Sequence, residues 1–268
     1  MRRAAGAKPK ARRGGEPPTG RDAGRIRGAR PGQLPTFLEP SLACPCARPP
    51  SGPNWIHEIK YDGYRLQARV DEGRLRLLTR KGLDWTDRFP SISESVLALD
   101  FRSAWLDGEI VAEDENGIPS FNCLQIDLTT GRHDRLRYFL FDALFGDGFD
   151  LTQATLIDRK EFLAQSLAKL PVGSPLRFSG HLEEDGPTVL EHACRMGLEG
   201  IVSKRKDFSY RPGRGTHWLK SKCVERQEFV ILGYIPSRAA PGAIASLLLG
   251  YYDRGELAYA ETNDAVNF

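Results

Sequence analysis

Apolar and polar residues alternate along much of the chain with a period of two, which predicts half-buried strands. Ile56, Ile59 and Tyr61 mark a strand end that runs into Asp62-Gly63. That pair predicts a tight turn, because Gly accepts φ > 0 and Asp tolerates it. Tyr64–Val70 (YRLQARV) and Arg74–Thr79 (RLRLLT), separated by Asp71-Glu72-Gly73, predict a hairpin. Further strands are expected over Ala104–Val111, broken by Asp107-Gly108, and over Arg137–Ala143, Gly200–Lys204 and Thr216–Cys223. Helical spacing is rarer. It is found over 91–99 with a serine cap, over 121–128, over 156–170 on the stripe 156, 157, 163, 167 and 170, and over 187–196, where Gly197 ends it. From Glu225 onward the pattern is all strand (EFVILGYI, SLLLGYY, ELAYA), split by Pro and Gly, as at the start of a small β-barrel.

These elements predict an α+β chain in three parts. Residues 1–34 read as a disordered basic tail or linker, because Ile26 is the only large aliphatic residue between Met1 and Leu34. Residues 35–224 form the main domain, with ordered chain beginning near Leu34, and 225–268 the small β domain. Charge sharpens the division. The first 34 residues hold ten Lys/Arg against two Asp/Glu; since the whole chain carries +3, the remainder carries −5. Any cationic nucleic-acid surface must therefore be local. The tail reads equally as a solvated leader or as a phosphate-backbone contact. No apolar run approaches the roughly 20 residues of a membrane span, and the arginines at the start precede no apolar stretch, so a cytoplasmic site is expected. Five cysteines, an odd and scattered set, make a poor disulfide framework. Cys44-Pro45-Cys46 lacks a second pair or a His cluster, so it reads as two ordinary thiols rather than a zinc site.

Lys60 stands at the end of the first predicted strand among Trp55, Ile56, Ile59 and Tyr61. Partial desolvation and nearby cations favour the neutral, nucleophilic form of an amine. Lys220 and Lys222 fall on one strand face, where two like charges are costly unless an anion lies between them. Six stretches occur in order: Lys60-Tyr61-Asp62-Gly63 with Arg65; Thr79-Arg80-Lys81-Gly82; Leu106-Asp107-Gly108-Glu109; Tyr138-Phe139-Leu140-Phe141-Asp142; Glu199-Gly200-Ile201-Val202-Ser203-Lys204; and Trp218-Leu219-Lys220-Ser221-Lys222. This set resembles the covalent nucleotidyltransferases, and most closely the ligase module of the bacterial end-joining, ATP-dependent DNA ligases, from about Leu34 to Tyr259.

The resemblance implies a nucleotidyltransferase (ATP-grasp-like) adenylation domain of two packed antiparallel sheets with flanking helices, followed by an OB-fold barrel. It implies Lys60 as the nucleophile that takes AMP from ATP. Lys220 and Lys222 would hold the α-phosphate and Glu109 the ribose. Phe141 would stack on adenine, with Glu58 and the Ile59 backbone near its exocyclic amine. Arg65 would meet ribose or phosphate, Arg80 the 5′-phosphate of a nick, and Glu199 a Mg²⁺ ion. Lys81 and Lys204 are expected to be solvated or DNA-facing, and His57 and His217 to pack or hydrogen-bond. Implied partners are nicked or broken double-stranded DNA and a Ku-type end-binding protein, with the chain itself monomeric and nucleoid-associated. Alternatives in the same class are an RNA ligase or capping-type guanylyltransferase; a remnant that binds nucleotide or DNA without ligating is a third. An OB barrel needs five strands, about three can be placed here, and AYAETNDAVNF departs from the basic, glycine-rich continuation the family leads one to expect. An incomplete barrel is therefore predicted.

Overall fold

The computed structural model describes residues 22–168, 170–223, 229–237, 242–253 and 255–259. The chain divides into two compact units, Met1–Cys223 and Val224–Phe268.

In the first unit the strands are β1 (Arg30–Pro31), β2 (Ser41–Pro45), β3 (Trp55–Ile59), β4 (Tyr64–Asp71), β5 (Arg74–Thr79), β6 (Ser103–Ala112), β7 (Leu136–Gly146), β8 (Phe149–Asp150), β9 (Leu176–Phe178), β10 (Gly200–Arg205) and β11 (Gly213–Lys222). The helices are α1 (Pro90–Leu97), α2 (Phe121–Thr130), α3 (Leu156–Leu167) and α4 (Gly186–Arg195). A seven-stranded sheet has the order β1-β8-β7-β6-β4-β5, with β9 also paired to β7; a four-stranded sheet has the order β2-β11-β10-β3. The pairings are antiparallel except β2–β11 and β7–β9, which are parallel. Residues of α1, α2 and α3 join β4, β6 and β7 in the main core, while Val189 and Ala193 of α4 pack on Ile201 of the smaller sheet. The large sheet is thus backed by three helices and the small one by α4.

Strand periodicity located β3 to β7, β10 and β11 but not β1, β2, β8 or β9; β2 lies in the proline-punctuated stretch 35–54, which reads as irregular, and forms by pairing with distant β11. Four further differences stand out. Residues 22–33, expected in the tail, are folded: Ala23 is buried in a short 3₁₀ turn, and Arg30–Pro31 pairs with β8. Residues 1–21 lie outside the described residues. Helix α1 starts with Pro90 after Phe89, without a serine cap, because proline supplies the helical φ and has no N–H to satisfy. Asp107-Gly108 does not break β6, which runs unbroken over ten residues. Instead the register with β7 passes from Asp107↔Asp142 to Gly108↔Leu140, leaving Phe141 as an extra, bulged residue. Gly108 permits this: a Cβ there would lie 2.6 Å from the Phe139 carbonyl and from the Tyr138 ring. Finally, Cys194 and Cys223 are bonded to each other, with Cα atoms 5.3 Å apart. The sequence separation of 29 hides this, since the return of β11 along β10 closes the gap.

In the second unit, β12 (Val230–Pro236), β13 (Ile244–Asp253) and β14 (Glu256–Tyr259) form an antiparallel sheet in that order. No closed barrel is formed among the described residues. No helix among them is long and apolar enough to cross a membrane.

Candidate active site

Lys60 leaves β3 at the mouth of a pocket between the two sheets. Its backbone N–H donates to the Gly200 carbonyl (2.9 Å), which fixes the strand end against β10. The turn that follows does not use a left-handed glycine, since Gly63 lacks a positive φ. Gly63 is required for a different reason: a Cβ there would sit 2.2 Å from the Ile110 carbonyl oxygen. The turn is pressed onto β6, and this sets where Lys60 points.

The pocket is open at its mouth and has a volume of about 160 Å³. Ala43, Glu58, Val202, Lys204, Trp218 and Lys220 line it from the four-stranded sheet, and Arg65, Glu109 and Phe141 from the seven-stranded sheet. The strand register explains the first group. Val202 is paired with Glu58 on one side and with Lys220 on the other, and Lys204 with Trp218. Period-two alternation then turns Trp218 and Lys220 to the same face. In the second wall Arg65 and Glu109 are cross-strand partners, and the bulge turns Phe141 toward Trp218, with ring centroids 6.0 Å apart and edge-on. Arg65 is held in place by a two-pronged pair with buried Asp107 (3.0 and 2.7 Å) and by donating to the Ser41 carbonyl (2.6 Å). Its guanidinium lies over both Phe141 and Trp218.

At the mouth, Glu199 pairs with Lys60 through one oxygen and with Lys222 through the other, the latter at 2.9 Å. Burial pushes this carboxyl up, but the two lysines outweigh it and hold Glu199 below the usual carboxylate range. The same contact raises Lys222. Desolvation in the turn and the Glu199 charge together raise Asp62. Deeper in, burial pushes Glu109 up to about 8, only partly offset by Arg65 and Lys60.

Beneath the pocket lies a buried charge cluster. Glu58 receives Lys160 on one oxygen (2.8 Å) and Lys204 on the other (2.8 Å), where Ser179 also donates (3.1 Å). Burial alone would raise Glu58; the two lysines hold it below its ordinary value. Lys204 is lowered to about 8, chiefly by burial. It sits over the rings of Phe141 (4.3 Å) and Trp218 (4.2 Å), so its expected solvated or DNA-facing position is corrected: it is only 2% exposed. His57, also buried, is hydrogen-bonded to Ser203 Oγ (2.8 Å), and His217 bonds Ser41 (3.0 Å).

The structure therefore gathers Glu58, Ile59, Lys60, Arg65, Glu109, Phe141 and Lys220 around one pocket, with Glu199 and Lys222 at its mouth. Arg80, in the turn after β5, is exposed and outside this lining. Trp218 and Val202 were not singled out from the sequence. Trp218 was findable, standing two residues before Lys220 on the same strand face. Lys160 carried no such signal, because α3 lies outside all six stretches.

The model of the ATP-dependent DNA ligase domain matches residues 41–222. The chain belongs to the ATP-dependent DNA ligase family. It is 41% identical to the multifunctional non-homologous end joining protein LigD of Pseudomonas aeruginosa over 89% of its own length and 28% of that protein. It is 36% identical to the protein of the same name from Mycolicibacterium smegmatis over 73% of its length and 25% of that protein. The chain thus spans little more than a quarter of these two relatives. Among solved structures it resembles a mycobacterial DNA ligase D complexed with ATP and MES, with a TM-score of 0.60 and 33% identity, covering 83% of this chain and 71% of that one. The ligase domain of LigD from M. tuberculosis gives a TM-score of 0.59 with the same coverage. The family places this ligase domain with the nucleotidyltransferase fold of these neighbours, and favours a DNA ligase over an RNA ligase or capping enzyme.

Proposed function

We propose that this ligase domain seals nicked double-stranded DNA through a lysine–AMP intermediate on Lys60. The observation that carries the reading is the placement of Lys60 at the mouth of a pocket whose base is aromatic and whose rim is cationic. Lys60 Nζ attacks the α-phosphorus of ATP, forming the P–N bond as the bond to pyrophosphate breaks and the amine gives up a proton. AMP then passes to the 5′-phosphate of the nick, regenerating the lysine. The 3′-hydroxyl attacks that phosphate and releases AMP. In each step the protein supplies position and charge. Lys220 and Lys222 would face the α-phosphate, Glu109 the ribose, Phe141 and Trp218 the base, and Arg65 the ribose or phosphate from its fixed perch. Arg80, exposed on the surface, would meet the 5′-phosphate of the nick.

Mg²⁺ fits this donor set. Glu199 carries hard carboxylate oxygens of the kind the ion takes, each paired in this structure with a lysine, Lys60 or Lys222. Bound there, it would neutralise phosphate charge. The names of the LigD relatives support extending the proposal to repair of broken DNA by end joining; the proposal further includes a Ku-type partner and a monomer acting at the nucleoid in the cytoplasm.

Incubation with ATP and Mg²⁺ should add one AMP to the intact mass, mapped to Lys60, and Lys60→Ala should abolish the adduct. An adduct from GTP but not ATP, or AMP retained in Lys60→Ala, would overturn the reading.

A further inference from the structure

Lys60 sits where the chain crosses from one sheet to the other. Ile59, paired with Ile201, is the last rung of β3 on β10, and the Lys60 N–H adds its bond to Gly200. Tyr64, paired with Ile110, is the first rung of β4 on β6. The turn from Tyr61 to Gly63 spans the gap and sets the direction of the lysine side chain. Within it Asp62 is exposed and Gly63 has no side chain, while Tyr61 turns inward. Its ring lies flat on Phe139 of β7, with centroids 4.2 Å and planes 20° apart. Phe139 is the cross-strand partner of Glu109, so the stack joins the lysine turn to a strand pair that carries a pocket residue. Burial pushes the Tyr61 phenol up to about 12, so the ring stays neutral, and its hydroxyl is hydrogen-bonded to Ser179. Tyr61 borders the pocket beside Lys60, yet the three chemical steps give it no task.

We propose that Tyr61 is a positioning residue for the nucleophile: its stack on Phe139 holds the turn so that Lys60 Nζ is aimed at the α-phosphorus. The inference rests on the reading of Lys60 as the lysine that takes AMP. In-line attack tolerates little misplacement, and a shift of about 1 Å can cost about a hundredfold. The bond to Gly200 fixes only the backbone nitrogen of Lys60, and the contact of Gly63 with Ile110 acts on the far side of the turn. Neither restrains the residue between them. A ring laid flat on a second ring does, because tilting it breaks contact over the whole face. Phe139 lies outside the pocket lining, so it bears on Lys60 through Tyr61 without touching the nucleotide.

Single-turnover labelling of Lys60 in the whole chain, over a range of ATP concentrations, separates aim from affinity. Tyr61→Leu keeps an apolar side chain but loses the flat face. It should lower the maximal rate of AMP transfer about tenfold or more, with the half-saturating ATP concentration within about threefold of wild type. Tyr61→Phe keeps the ring and should stay within about threefold in both. Phe139→Leu removes the same stack from the other side and should slow transfer as Tyr61→Leu does. The double variant should be no more than about threefold slower than the slower single one, because only one contact is lost. An unslowed Tyr61→Leu, a loss confined to half-saturation, or losses that multiply in the double variant would overturn the proposal. Should Tyr61→Leu fail to fold, Phe139→Leu decides alone, and a wild-type rate there overturns it. A wild type that forms no Lys60 adduct would sink the catalytic reading and this inference together, whereas a normal adduct in an unslowed Tyr61→Leu sinks this inference only.

Discussion

Arg159 and Asp142 form an ion pair with side chains at 1% and 0% exposure. The guanidinium donates through Nε (2.7 Å) and Nη2 (2.9 Å) to the two carboxylate oxygens, and through Nη1 to the Ala154 carbonyl (2.8 Å). The pair joins α3, which also carries Lys160, to the β7 residue directly after bulged Phe141. Arg159→Met would leave Asp142 enclosed with the Ala143 N–H as its remaining hydrogen bond. Removing one partner of a buried pair costs about 3–5 kcal/mol, at least a fifth of the roughly 5–15 kcal/mol that holds a domain together. Asp142→Asn should cost a similar amount by stranding the guanidinium. The double variant should lose little more than either single one, because neither charge is left behind; a coupling of about 3 kcal/mol is expected. Urea unfolding followed by tryptophan fluorescence measures this cleanly, since Trp55, Trp85, Trp105 and Trp218 all lie in the first unit. With slopes of about 1–3 kcal/mol per molar urea, each single substitution should move the midpoint by 1 M or more. Additivity of the two losses to within about 0.5 kcal/mol would refute the argument that these charges hold each other.

Glu109 gives a pH prediction. Its folded value, about 8, lies above its ordinary 4.5, so the folded protein keeps a proton that the unfolded chain loses. Its contribution is fully present below pH 4.5 and is lost as pH rises to about 8. The wild-type minus Glu109→Gln difference in unfolding free energy should therefore fall across that window, by on the order of 2 kcal/mol because the group keeps partial contact with solvent; a flat difference would contradict it. Gly63→Ala should slow AMP transfer to Lys60 more than tenfold in single-turnover labelling, since the added carbon meets the Ile110 carbonyl and must push the lysine turn off β6. Cys194→Ala should cost about 3–4 kcal/mol in oxidised protein, the loop-entropy value for a 29-residue closure. The loss should vanish when both proteins are measured in dithiothreitol.

Period-two alternation made most strands legible, because strands half-buried against helices expose their other face to the pocket or to solvent. It failed where one residue was out of step. Asp107-Gly108 looked like a break because glycine weakens a strand. In fact Gly108 serves the bulge opposite, and a bulge belongs to two strands, so neither sequence shows it alone. The segment 22–33 was likewise invisible. Its few apolar residues cannot form a core themselves, yet Ala23 and Ile26 pack into a core built by the distant β7 and α3.

The cations at the mouth of the site were readable for a chemical reason. Lys220 and Lys222 alternate on one strand face, where two like charges ask for an anion between them; for Lys222, and for Lys60 at the end of β3, the fold supplies Glu199. Lys160 and Lys204 are cations too, yet within DRKEF and SKRKD they look solvated. What distinguishes them is a shared partner, Glu58, 102 and 146 residues away. Only the pairing of β10 with β3 and the packing of α3 behind it bring the three together. A lysine's sequence neighbours report whether water can reach it along the chain, and they are silent about a carboxylate arriving from another sheet. The rim of this site could therefore be read from local pattern, while its floor required the fold.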